Sequence, residues 1–224
     1  MSAPADPSLR HFLRMLVAGT AALAAGCATT DSAERVGTEE PEEGFEYRAA
    51  RQEWPAATTG KLEVAEFFWF GCPHCYSLEP LINAWARKLP QDVVFRRQHV
   101  PFREPKHQQL YFTLQAIGQD NEKVLAGVFA AIHQQRKRML DQKEMVEVLA
   151  PLGVDAKAFN DAFGSFGVRT RQQRANKLAD AYGLDGVPAI GVNGKYLTAP
   201  SFAGSNEAAL RVVDELIDRE RKGA

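Results

Sequence analysis

The chain has 224 residues, 45% hydrophobic and 25% charged, with a formal net charge of −1. That is ordinary globular composition, enough for one sizeable domain or one domain carrying an insertion. The near-neutral charge makes no case for nucleic acid, and the one basic cluster, Arg136-Lys137-Arg138, reads as a solvated helix face rather than a binding patch.

Residues 1–27 read as an export signal. Arg10, His11 and Arg14 form a positive start, and Met15 to Ala25 is an apolar run too short to span a membrane comfortably. The run ends Leu23-Ala24-Ala25-Gly26-Cys27, which resembles a bacterial lipobox, with Ala24 where leucine is usual. Cys27 is therefore the candidate for lipid attachment; the alternative is ordinary cleavage nearby, leaving Cys27 free or removed. An exported protein works in an oxidising compartment. Residues 28–46 are strongly acidic and nearly devoid of apolar side chains, as expected of a flexible tether reaching about 20–25 Å.

A first edge strand is expected within Phe45 to Trp54. Leu62 to Phe70 then reads as a buried central strand, carrying one acid, Glu66, on the face of Leu62, Val64, Phe68 and Phe70. Burial would raise the pKa of that acid and suit it to carry protons for nearby thiols; an edge position would instead let it reach water.

After the strand comes Phe70-Gly71-Cys72-Pro73-His74-Cys75, followed by Leu78, Leu81, Ile82, Trp85 and Leu89 at helical spacing. Strand, glycine, then C-x-x-C at a helix start is a thioredoxin-like redox arrangement. Cys72 falls at the N-cap and Pro73 at the first helical position, where a missing N–H costs nothing. The unpaired N–H groups of His74 and Cys75 then face the sulfur of Cys72 and favour its thiolate, aided by the helix dipole. A stabilised thiolate is a good leaving group, so a disulfide here is readily passed on. The same spacing also suits half a zinc site, but the remaining ligands (Cys27, His11, His99, His107, His133) are scattered singly, so no metal is expected.

Further on, Pro80 is expected to kink the helix and Pro90 to close it, and Val93 to Val100 is the next strand. From Lys106 to Arg174 the pattern is wholly helical, with stripes at Leu110, Leu114 and Ile117 and at Val124, Leu125, Val128, Phe129 and Ile132. Asp141 with Glu144 forms a capping-box-like start. Gly153 stops that helix, and Asp155 starts another with Phe159 and Phe163. A helix from Thr170 to Tyr182 leads to Gly186-Val187-Pro188, and Asn193-Gly194 signals a hairpin. Glu207 to Arg221 is a terminal amphipathic helix. There is no signature for flavin, nicotinamide or haem.

Between about Tyr47 and Arg221 these residues resemble the DsbA family of bacterial disulfide oxidases. Cys72-Pro73-His74-Cys75 matches the family's tetrapeptide, and Glu66-Phe67-Phe68 lies at its offset before the first cysteine. Gly186-Val187-Pro188 is similar to its cis-proline loop, whereas Gly191 stands where a bulkier residue is common. The resemblance implies an α/β, thioredoxin-like fold with an inserted helical domain: residues 47–104 and 175–224 forming the thioredoxin-like part and 105–174 the insertion. It implies that Cys72 forms the mixed disulfide, Cys75 resolves it, His74 favours the Cys72 thiolate, Glu66 relays protons, and Val187 with Pro188 holds the substrate strand. It implies a monomer acting on reduced, unfolded or extended proteins and reoxidised by a quinone-linked membrane protein of the DsbB type. Two rival readings are a disulfide isomerase or reductase, and an exported binding or chaperone module with a structural disulfide.

Overall fold

The structure, a computed structural model, describes residues 40–223. The export signal, Cys27 and the tether up to residue 39 lie outside the described residues. The last of the expected tether is ordered. Glu42 to Tyr47 closes a hydrogen-bonded turn, and the Thr198 hydroxyl donates to the Glu46 carbonyl at 2.6 Å. The backbone there is recruited by a neighbouring strand, which composition does not reveal.

In chain order the elements are β1 (Tyr47–Ala49), β2 (Leu62–Phe68), α1 (Pro73–Ala86), β3 (Val93–His99), α2 (Pro105–Ala116), α3 (Glu122–His133), α4 (Gln142–Leu149), α5 (Ala156–Ala162), α6 (Phe166–Tyr182), β4 (Ala189–Val192), β5 (Tyr196–Thr198), α7 (Pro200–Ala203) and α8 (Asn206–Lys222). The strands form one sheet in the order β1-β5-β4-β2-β3. Only β2 and β3 are parallel, joined through α1; the other pairs are antiparallel. This is the expected α/β fold, with helices α2 to α6 inserted between β3 and β4.

β2 is buried on both faces because each is covered by helices. Val64 packs with Leu78 and Ile82 of α1 and Val213 and Leu216 of α8, whereas Ala65 and Phe67 pack under Leu178 and Tyr182 of α6. A third cluster joins the inserted helices to the end of β2, bringing Leu110, Leu125, Val128, Phe129 and Phe159 into one core with Phe68, Phe70, Cys72 and Cys75. The inserted helices thus form one wall of the cysteine site.

Several expected boundaries move, each for a local reason. β2 ends at Phe68 rather than Phe70, because the Trp69 carbonyl accepts the Cys72 N–H at 3.0 Å and closes a turn. Pro80 lies inside α1, and the helix stops at Ala86, ahead of Pro90. α6 begins at Phe166 rather than Thr170, capped by the Ser165 hydroxyl accepting from the Val168 N–H at 3.3 Å, so the 174/175 division falls inside one continuous helix. Asp141 caps α4 as expected, but Glu144 reaches back to the Met139 N–H rather than completing a capping box. Arg136-Lys137-Arg138 is not helical: α3 ends at His133 and α4 starts at Gln142, leaving the triplet in the connection.

The hairpin at Asn193-Gly194 forms, with φ of 50° and 72°. Gly191 has a packing reason: a Cβ there would enter the ring of Tyr182. The Tyr182 hydroxyl accepts the Gly194 N–H at 2.8 Å, so a large ring on α6 occupies the space that a bulkier residue 191 would need.

Candidate active site

The turn after β2 sets Cys72 as N-cap of α1, with extended backbone (φ −87°, ψ 119°) and Pro73 at the first helical position. Gly71 is forced by its neighbour, since the Trp69 ring covers the side where a Cβ would stand. Both backbone groups of Phe70 are held by imidazoles: its N–H donates to His99 Nε2 at 3.1 Å, and His133 Nε2 donates to its carbonyl at 2.8 Å. The Trp69 ring stacks on His107. Histidines scattered in sequence therefore converge on the turn that carries the first cysteine. Each fixes backbone or ring position.

The two cysteines are free thiols in different surroundings. Cys72 is 6% exposed, Cys75 not at all. The Cys75 N–H donates to Cys72 Sγ at 3.4 Å, and the Cys72 thiol faces the Val187 carbonyl at 3.4 Å. The Val187-Pro188 bond is cis, and Pro188 is buried. Cys72, Cys75, Val187 and Pro188 are thus brought together, while Pro73 and His74 lie exposed beside them.

The thiol of Cys72 is lowered to about 6, first by a hydrogen bond from the Cys75 thiol. Burial opposes this; the N–H groups of Cys75 and His74 reinforce it, and the charge of His74 adds least. Cys75 is pushed well above the usual thiol range, chiefly by burial and next by Cys72. The helix start thus makes one cysteine acidic and keeps its partner protonated.

Glu66 is buried, 1% exposed, rather than at an edge that reaches water. Burial pushes its carboxyl up to about 7; Arg97 pulls the other way and Glu79 adds to the rise. Arg97 Nε donates to Glu66 at 3.0 Å, its other arm lies 3.6 Å from Glu79, and it bonds Asn83. Arg97, Glu79 and Asn83 escaped the sequence reading, and His99 and His133 entered it only as scattered metal-ligand types. Arg97 stands directly opposite Glu66 on β3, a pairing that only the strand register reveals.

A C-x-x-C pair with one acidic and one buried thiol, at a helix start opposite a cis-proline, defines a thioredoxin-like thiol–disulfide redox centre. Comparison with known proteins gives the same class. Residues 63–208 match the DSBA-like thioredoxin domain. The chain is 44% identical to the thiol:disulfide interchange protein DsbA of Azotobacter vinelandii, covering 93% of this chain and 96% of that one. It is 47% identical to the Bordetella parapertussis protein of the same name over 75% of this chain and 81% of that one. The crystal structure of Pseudomonas aeruginosa DsbA superposes with a TM-score of 0.77 at 41% identity, covering 80% of this chain and 94% of that one. The chain belongs to the DsbA-like thioredoxin-domain family and is a thiol:disulfide oxidoreductase.

Proposed function

We propose that this protein donates a Cys72–Cys75 disulfide to reduced proteins in the periplasm. The observation that carries this reading is the acidity difference across the pair, about 6 for Cys72 against a strongly raised Cys75. A substrate thiolate attacks Cys72 sulfur, and Cys75 leaves as a thiol after taking a proton, leaving a mixed disulfide on Cys72. A second substrate thiolate then attacks the substrate sulfur of that bond and releases the Cys72 thiolate, a good leaving group. The protein gains two electrons and the substrate gains its disulfide.

In this scheme Glu66 relays the proton that Cys75 takes up, through the buried interior. A carboxyl at about 7 can both hold and release a proton near neutrality. Val187 and Pro188 hold the substrate backbone beside Cys72, and His74 trims the thiolate from the exposed side. Pro73 fixes the first helical turn. The two electrons pass on to a quinone-linked membrane protein, and the protein acts as a monomer.

Mixing the disulfide form with one equivalent of a reduced peptide dithiol tests this. Peptide disulfide should appear together with two protein thiols; peptide that stays reduced would refute donation. Among the described residues no helix is long and apolar enough to cross a membrane. Membrane attachment in this reading comes from lipid at Cys27, on the lipobox-like Gly26-Cys27. Cys27→Ala should move the protein from the membrane to the soluble fraction, and an unchanged distribution would remove the anchor.

A further inference from the structure

The cysteine site has two flanks of different charge. On one side the groove beside Val187 and Pro188 carries His74, Glu207 and Asp185, the last paired with Arg48 at 3.1 Å. The other side is built from Trp69 and Phe102, whose rings lie 6.2 Å apart with Phe102 50% exposed, and from the α3–α4 connection. That connection carries Arg136, Lys137 and Arg138, and Arg103 follows Phe102. Arg103, Arg136 and Arg138 are exposed and Lys137 is half-buried; among the described residues none of the four side chains makes an ion pair. The acids nearby in the chain are Glu104, Asp141 and Glu144. Asp141 caps α4 and Glu144 holds the Met139 N–H, so two of the three are engaged with backbone.

The basic connection is fixed in place. Arg136 and Met139 take φ of 57° and 54°, the left-handed region that non-glycine residues seldom occupy. Such a conformation persists only where its surroundings over-determine it. Here the Lys137 N–H donates to the Ala131 carbonyl at 2.9 Å, the Met139 N–H to Glu144 at 2.6 Å, and His107 Nε2 bonds the Arg138 carbonyl at 2.9 Å. The same His107 stacks on Trp69, whose ring covers Gly71, the residue bonded to Cys72. Gln134, at the start of the connection, bonds the Tyr76 hydroxyl one residue after Cys75. The backbone that carries the cations is thus linked by a short chain of contacts to the turn holding the reacting thiol.

We infer that this basic, aromatic rim selects substrates: it receives an extended protein segment that carries an acidic residue beside its reacting cysteine. The inference rests on the proposed disulfide donation and adds a determinant of which cysteines are oxidised fastest. Electrostatic matching of this kind acts mainly on the rate of productive encounter and is weakened by salt. The segment is an extended peptide because its cysteine must reach Cys72 while its neighbours lie toward the rim, which adjoins Cys72 through Trp69 and Gly71.

The test compares three peptide dithiols, identical except for Asp, Ser or Lys on either side of one cysteine, oxidised by the full-length disulfide form. At low salt the Asp peptide should react about tenfold faster than the Lys peptide, and the gap should close at high salt. The double variant Arg136→Glu with Arg138→Glu should reverse the order; Arg103→Glu, on a different loop, should narrow it. Oxidation of dithiothreitol, which has no flanking residues, should stay unchanged in all of them. Equal rates for the three wild-type peptides, or an order that survives charge reversal, would overturn the inference. Loss of binding to phosphatidylglycerol vesicles in the charge-reversed variant, with the peptide order intact, would assign the rim to a lipid surface and likewise overturn it. A wild-type protein that fails to oxidise dithiothreitol would instead refute the proposed donation.

Discussion

Cys75→Ser should stop the reaction at the mixed disulfide, whereas Cys72→Ser should reach it only slowly. With oxidised glutathione, the Cys75→Ser protein is expected to form a lasting glutathione adduct on Cys72, because no neighbouring thiol remains to displace it. The Cys72→Ser protein should form the adduct at a rate lower on the order of a hundredfold. At pH 7 a thiol lowered to about 6 is mostly ionised, whereas Cys75 lies well above the usual thiol range. A more basic thiolate is intrinsically more nucleophilic and recovers part of that ratio. Complete burial of Cys75 takes the recovery away again. Intact-mass kinetics read both variants directly; similar adduct rates would reverse or abolish the assignment of roles.

The second large effect concerns stability and the buried acid. In the folded protein Glu66 titrates at about 7, against 4.5 for an ordinary glutamate. Between those values the folded state binds more protons than the unfolded one, so stability falls as pH rises from about 4.5 to about 7 and then levels off. A displacement of that size corresponds to about 3 kcal/mol at 1.36 kcal/mol per pKa unit. Glu66→Gln keeps the shape of the protonated acid and removes the titration. It should equal the wild type near pH 4.5 and exceed it by about 3 kcal/mol above pH 7. Urea unfolding across that range measures the difference. Parallel stability curves would mean that Glu66 is fully ionised in the fold and held by Arg97.

Parts of this architecture were legible in the sequence because local chemistry and tertiary structure agree. Asn193-Gly194 reads as a hairpin because both residue types tolerate the positive φ they adopt. Cys72 and Pro73 read as a helix start for the same kind of reason. Arg136 and Met139 take equally unusual φ with no such residue type, so nothing local distinguished their connection from a helix face. The acid at Glu66 stood out on an apolar strand, but its partner Arg97 depends on the register of two parallel strands joined through a helix. The histidines around Phe70 are fixed by three separate elements, and only the folded chain brings them together. The charge of His74, prominent in the motif, adds least to the acidity of Cys72; the thiol of Cys75 contributes more because it bonds the sulfur itself.

The central claim is that ionisation of Cys72 makes the reduced form favourable and so makes the disulfide an oxidant. The equilibrium between this protein and glutathione, followed against pH, tests it most directly. Reduction of the disulfide by two glutathione thiols releases no net proton while Cys72 stays protonated, and one proton once it is a thiolate. With Cys72 at about 6, the equilibrium constant should be flat below that pH. Above it the constant should rise about tenfold per pH unit, equivalent to about 30 mV, until glutathione itself ionises near pH 8.5. A constant that stays flat from pH 5 through about pH 8 would contradict the account, because stabilisation of the thiolate would then contribute nothing to the oxidising power of the pair.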